Sequence, residues 1–331
     1  MLSAEERSWN IPRVSHLMRL SRTKVETKYE RKKRKKVMAK ILVAYSGGKD
    51  SQACLLWSIK QYGVKNIEAV FCDTGWEHPT TYEHIQKTTN DLGVKLVTVK
   101  SKKYAGMIEL AEKKKRFPSS QARFCTSELK SIPFIDYVLE QAEHLLVIQG
   151  FRALESHTRS QMQKQCRYFK YYFESYNDKG KTHTYRKGDV KEWCKKYADD
   201  ILRPVFDWTG QQVIDYIKEN GQEPNELYKQ GFKRVGCFPC IMSSQKEVHE
   251  IIKRYPERFD EIIEHEKRIG SSFFKIDFVP DYAQSGICNR TGKKYTTGED
   301  VRKYLENKNL TGDLFADDSP ISCSSYYHLC E

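Results

Sequence analysis

Gly47 and Gly48 stand side by side between the apolar run Ile41-Leu42-Val43-Ala44-Tyr45 and the helix-like stretch Gln52-Ala53-Cys54-Leu55-Leu56-Trp57. A short aliphatic run, two glycines and a helical apolar pattern predict a strand, a tight turn and the N-terminus of a helix. That geometry suits an anion. Residues without Cβ let the main chain approach a phosphate, the unpaired amides of the first helical turn point at it, and the helix dipole adds attraction. Ser46 and Ser51 offer hydroxyl donors and Lys49 a point positive charge. A Walker A loop is excluded by the spacing, because acidic Asp50 separates Lys49 from Ser51.

The rest of the chain repeats the same alternation. Residues 67–72, 94–99, 145–148 and 200–205 read as four further strands, each followed by a loop and a helical pattern. Such an order specifies an α/β fold with a parallel sheet covered by helices on both faces. Ligands of these sheets sit beyond the carboxyl ends of strands, where Asp73, Thr74 and Gly150 fall. Thr209 is a suitable N-cap for an amphipathic helix through Val213, Ile214, Tyr216 and Ile217. A long amphipathic region over residues 244–269 is expected to break at Pro256. We divide the chain into a basic N-terminal extension (1–40), a nucleotide-binding domain (41–222) and a smaller, mostly helical, cysteine-bearing part (223–331).

Composition narrows the partners. Net charge is +13, from 57 Lys and Arg against 44 Asp and Glu, which favours an anion such as nucleic acid, ATP or a sulfonucleotide. The six consecutive cations of residues 31–36 read either as a solvated extension or as a phosphate-backbone strip. No apolar run approaches the ~18 residues that span a bilayer, and the N-terminus lacks a signal-peptide core, so a cytoplasmic protein without a membrane partner is expected. Ten cysteines then suggest thiols or metal ligands more than disulfides. Tyr168, Phe169, Tyr171, Tyr172 and Phe173 alternate with Arg167 and Lys170, a pattern that stacks on bases or packs as a hairpin on the sheet; the hairpin is the expectation adopted.

Ser46-Gly47-Gly48-Lys49-Asp50-Ser51 resembles the PP-loop, Ser-Gly-Gly-x-Asp-Ser, of the ATP pyrophosphatases. Four further segments resemble the phosphoadenosine phosphosulfate (PAPS) reductase-like branch of that superfamily, in family order. These are Asp73-Thr74-Gly75-Trp76-Glu77-His78-Pro79, Arg123-Phe124-Cys125-Thr126 with Lys130, Gly150-Phe151-Arg152-Ala153-Leu154-Glu155-Ser156-His157-Thr158-Arg159, and Arg203-Pro204 through Trp208-Thr209. The resemblance implies an adenine nucleotide α-hydrolase-like fold that binds ATP, PAPS or adenylylsulfate with Mg²⁺. It implies that Ser46, Gly47, Gly48, Lys49 and Ser51 hold phosphates, with Tyr45 among the nucleotide-binding residues and Asp50 either binding Mg²⁺ or setting the loop. Arg123, Lys130, Asp73, Thr74, Gly150 and Glu155 are implied to lie close to the nucleotide. Lys49, Asp50, Arg152 and Arg159 are the implied catalytic groups, the two arginines facing the leaving or sulfuryl group.

Cys237-Phe238-Pro239-Cys240 has no second pair to complete a zinc ribbon. Single cysteines must complete any site, namely Cys125, Cys288, Cys323 or Cys330, with Cys166 and Cys194 less suited. Resemblance to adenylylsulfate reductases and to the DNA phosphorothioation sulfur-transfer subunit implies a [4Fe-4S] cluster on Cys125, Cys237, Cys240 and Cys288, with Zn²⁺ or bare thiols as alternatives. The end, Tyr327-His328-Leu329-Cys330-Glu331, departs from the Glu-Cys-Gly-x-His setting of PAPS reductases and weighs against sulfite formation. The expected activity is therefore adenylation of an acceptor for sulfur transfer, with DNA or RNA and a cysteine desulfurase or other sulfur donor as implied partners. Sulfonucleotide reduction and a non-catalytic nucleotide-binding adaptor are the alternatives.

Overall fold

The computed structural model describes residues 39–177, 179–288 and 291–308. The basic run of residues 31–36, Cys323 and Cys330 lie outside the described residues. Strand β1 (Lys40–Ala44) leads into helix α1 (Lys49–Tyr62), followed by β2 (Ile67–Cys72), α2 (Pro79–Asp91), β3 (Lys95–Val99) and α3 (Met107–Lys114). A π-helical turn over Ser127–Ser131 runs into α4 (Ile132–Glu140) and β4 (Leu145–Gln149). Then come β5 (Gln165–Arg167), α5 (Lys187–Lys196), β6 (Asp199–Leu202) and α6 (Gly210–Glu219). The final third holds α7 (Gln245–Arg254), α8 (Pro256–Ile269), the hairpin β7 (Gly286–Ile287) and β8 (Lys294–Tyr295), and α9 (Gly298–Asn307).

Six strands form one sheet in the order β3-β2-β1-β4-β6-β5, parallel except for β5. The period-two geometry of β1 explains why it is apolar on both sides. Ile41 and Val43 join one core with Leu55 of α1 and Ile217 of α6, while Leu42 joins the opposite core with Val138 of α4 and Trp193 of α5. A third core unites α3 and its flanks (Leu110, Phe117, Leu129) with Phe238, Val248, Phe259 and Val301 from the last third.

Local signals act as expected. Thr209 accepts the Gln212 amide and Gln212 returns the bond, a capping box; Pro256 opens α8 where α7 has ended. The expected hairpin over the aromatic segment takes a different form. β5 pairs antiparallel with β6 as the sheet edge, and a short helical turn, Lys170–Phe173, follows. Phe169 and Tyr172 are buried in the sheet's core, so they are not available to stack on bases. Among the described residues no helix is long and apolar enough to cross a membrane.

Candidate functional site

The chain leaves β1 at Tyr45, whose amide donates to the Val70 carbonyl at 2.9 Å, and turns through Ser46, Gly47 and Gly48 into α1. Gly47 has φ +78°, and a Cβ there would lie 2.9 Å from Ile85 Cγ1 of α2, so both conformation and space require glycine. Ser51 closes the turn. Its hydroxyl donates to the Gly48 carbonyl at 2.9 Å and accepts the Ser46 amide at 3.3 Å. Gly150, just past β4, presses on the first turn of α1: a Cβ would meet the Ser51 nitrogen and the Asp50 carbonyl carbon at 2.5 Å. The loop thus sits where strand order reverses between β1 and β4, the ligand-binding crevice of open α/β sheets.

Asp50 is only 2% exposed and is compensated twice: Arg152 Nε donates to one oxygen at 2.6 Å and Lys49 Nζ to the other at 2.9 Å. Both oxygens of its carboxylate are therefore engaged by cations. Arg159 is buried against Glu155, with its guanidinium 5.0 Å from the Phe151 ring centroid. The two arginines converge on Glu155: Arg152, besides pairing with Asp50, lies 3.7 Å from one Glu155 oxygen and donates its amide to the other at 2.8 Å, and Arg159 pairs with the same carboxylate. At the tip of β2, Asp73 accepts the Gly75 amide at 2.9 Å and the Tyr82 hydroxyl at 2.7 Å, and pairs with Lys100 at 2.7 Å. Burial pushes the Asp73 carboxyl up, but Lys100, Tyr82 and Gly75 outweigh it and hold it below the usual carboxylate range. Thr74 donates through Oγ1 to Glu77 at 2.7 Å.

Two cavities lie side by side along this edge. The first is lined by Tyr45, Ser46, Ser51, Cys72, Gly150 and Phe151, among others. The second is lined by Thr74, Arg123, Cys125, Arg234, Cys237 and Cys240. Lys130 and Gly236 line both. The Cys-x-x-Cys loop is brought there by an antiparallel bridge between Glu77 and Cys237 and by the Phe238 amide donating to the Trp76 carbonyl at 2.8 Å. Trp76 Nε1 returns a bond to the Pro239 carbonyl at 3.0 Å. Burial, with the neighbouring Cys237 and Cys240, pushes the Cys125 thiol up to about 12, against the opposing charges of Arg123 and Lys130. Burial also raises Cys237, and Cys72 to about 12.

The sequence family matching this architecture is the phosphoadenosine phosphosulfate reductase domain, over residues 40–243. The chain belongs to this family. Among relatives, an uncharacterized protein of Methanocaldococcus jannaschii is 28% identical over 79% of this chain, which spans 55% of that protein. An uncharacterized protein of Escherichia phage 186 is 28% identical over 88% of this chain and 96% of its own length. Among solved structures, a PAPS reductase from Candida auris in a phosphate complex is 20% identical, covering 70% of this chain and 98% of its own, with TM-score 0.43.

In this PAPS reductase family member the four implied cluster ligands do not assemble. Cys125, Cys237 and Cys240 share one cavity, whereas Cys288 follows β7, its amide donating to the Lys293 carbonyl at 2.9 Å, and lines neither cavity. Among the described residues no group of three or more His, Cys, Asp or Glu side chains is arranged to hold a metal ion. Cys166 and Cys194 flank the core on the α4 and α5 face of the sheet. Three residues were missed from sequence. Tyr228 accepts the Lys49 amide at 3.0 Å, Glu77 collects Thr74, Trp76 and Tyr82, and Arg203 stacks 4.8 Å from the Phe151 centroid. Glu77 and Arg203 lay inside family-like segments; Tyr228, 179 residues from Lys49, carried no local signal.

Proposed function

We propose that this chain is a PP-loop enzyme that binds ATP or a sulfated adenine nucleotide and adenylates an acceptor, releasing pyrophosphate, so that sulfur can be installed. The observation that carries the reading is the shared wall formed by Lys130 and Gly236 between a glycine-loop cavity and a thiol-lined one. An acceptor oxygen attacks the α-phosphorus, the bond from that phosphorus to the oxygen bridging the β-phosphate breaks, and pyrophosphate leaves with its Mg²⁺. A sulfur nucleophile from a donor then bonds to the activated acceptor atom, and AMP departs with the former acceptor oxygen.

Each residue's part follows from its position. The Gly47 and Gly48 backbone and the Ser46 and Ser51 hydroxyls cradle the pyrophosphate. Lys49 turns from Asp50 to the phosphates, and Arg152 stays on Asp50, so no uncompensated carboxylate is left beside the incoming anion. Lys130 balances charge on both sides of the shared wall. Tyr45, Asp73, Thr74, Arg123 and Gly150 shape the surroundings, and Arg159 keeps Glu155 and Phe151 in place. Cys288 lies apart from the cavity that Cys125, Cys237 and Cys240 share, so a [4Fe-4S] cluster or Zn²⁺ held by all four does not fit this arrangement.

Calorimetric titration with ATP and a pyrophosphate-release assay, with sulfide and with or without DNA or tRNA, test the reading. We expect ATP uptake and acceptor-dependent pyrophosphate release, and we expect Lys49→Ala to weaken uptake at least about tenfold, or about 1.4 kcal/mol. ATP uptake that is absent, or untouched by Lys49→Ala and Ser51→Ala, overturns it. Uptake without turnover selects the adaptor alternative, and thiol-dependent sulfite release from PAPS selects the reductase.

A further inference from the structure

Helix α3 ends in a run of four exposed cations, Lys113, Lys114, Lys115 and Arg116. A basic last turn complements the helix dipole, which accounts for Lys113 and Lys114. It does not account for the backbone conformation of Lys115. This residue caps the helix in the left-handed region, at φ 53° and ψ 32°, where glycine is the unstrained choice. Among the described residues, the other non-glycine residue with positive φ is Arg186, at 47°, and it is held by Asp136 at 2.8 Å and Asp189 at 2.7 Å. Lys115 has no such support: among the described residues neither it nor Lys113 forms an ion pair. The neighbouring acids are already engaged, Glu112 by Arg268 at 2.6 Å and Glu128 by Lys114 at 3.8 Å. A left-handed backbone position is therefore occupied by a cation that has no ion-pair partner among the described residues.

The run also leads somewhere. The Arg116 guanidinium lies 5.5 Å from the ring centroid of Phe124, the residue before Cys125, and the segment between them carries the exposed Ser120 and Gln121 and reaches Arg123 on the thiol cavity's wall. We propose that Lys113, Lys115 and Arg116 form a docking strip for the phosphate backbone of a single nucleic-acid strand and lead it to the Arg123 side of that cavity. The cations form a row that continues through Arg116 and Phe124 to Arg123 on the cavity wall, which favours an extended anionic strand over a lipid surface. The inference rests on the proposed function in one respect, that the thiol-lined cavity is the acceptor side of the nucleotide site.

The test is anisotropy of labelled single-stranded RNA and DNA oligonucleotides with the full chain, without ATP, between about 50 and 200 mM salt. Three phosphate contacts on a single strand contribute about 2 to the slope of log affinity against log salt. We expect the triple variant Lys113→Ala, Lys115→Ala, Arg116→Ala to lose about that much slope and to keep the wild-type affinity for ATP. Lys115→Gly should weaken oligonucleotide binding while raising Tm, because glycine relieves the strain and removes the charge. An unchanged slope in the triple variant, or Lys115→Gly binding as tightly as wild type, overturns the proposal, as does binding to phosphatidylserine vesicles but to neither oligonucleotide. Loss of ATP uptake alone would defeat the proposed function and leave the strip standing.

Discussion

Asp50 distinguishes this loop from other phosphate loops, and its surroundings say what it does. Buried at 2% exposure between Arg152 and Lys49, it is a carboxylate whose removal leaves two cations without their partner. Breaking a buried pair by deleting one member typically costs about 3–5 kcal/mol, while replacing both with apolar groups is far milder. We therefore expect Asp50→Ala to lower urea-unfolding stability by about 3 kcal/mol, and Asp50→Ala with Arg152→Met to recover part of the loss. Strictly additive losses in that cycle would show that the pair does not act as a unit. The cysteines make a related point: Cys72 and Cys125, with thiols held near 12, are kept protonated by burial despite the cations nearby.

Helix α2 supports the loop from the side, through Ile85 against Gly47 and through His84, whose Nε2 lies 3.3 Å from Gln52 Oε1 of α1. Burial, with a smaller contribution from Lys87, pulls the His84 imidazole down from 6.5 to about 4. The fold thus favours the neutral ring. Its contribution to stability is complete above pH 6.5 and is lost as pH falls toward 4. Urea unfolding across that window should show stability dropping with acidity, and His84→Gln should flatten the profile. His78, the N-cap of α2, is depressed in the same direction by burial and Arg258, so some slope will remain. A profile identical to wild type would remove His84 from the account.

Across the molecule, the thiol loop stays at the sheet edge because the last third of the chain fastens it there. Arg258 of α8 lies 3.5 Å from the Trp76 ring centroid and donates through Nε to the Phe238 carbonyl at 2.8 Å, and Thr81 of α2 donates to the Val235 carbonyl at 2.6 Å. Trp76 belongs to the core that α3 shares with α7, α8 and α9. Trp76→Ala should lower stability by about 3–5 kcal/mol, and it should speed the reaction of Cys237 and Cys240 with a disulfide reagent. Unaltered thiol kinetics in a folded Trp76→Ala variant would mean that the fastening does not shield the cavity.

What the chain declares locally, short-range physics carries out. The strand, glycine turn and helix around Ser46 to Ser51, the parallel order of the sheet, the Thr209 cap and the break at Pro256 all depend on side-chain period and backbone freedom within a few residues, so they were legible in advance. Partners set by three-dimensional proximity were not. Whether Arg152 faced a ligand or Asp50, whether Arg159 stood free or lay under Phe151, and which cysteines would meet depended on distant segments converging. Tyr228 on the Lys49 amide and Cys237 bridged to Glu77 are contacts between opposite halves of the chain. Sequence by itself determined a phosphate-suited glycine turn on a parallel sheet. Tertiary packing alone decided which charges face that turn and which thiols lie beyond it, because a side chain's partner is chosen by the burial and close approach of elements far apart in the chain.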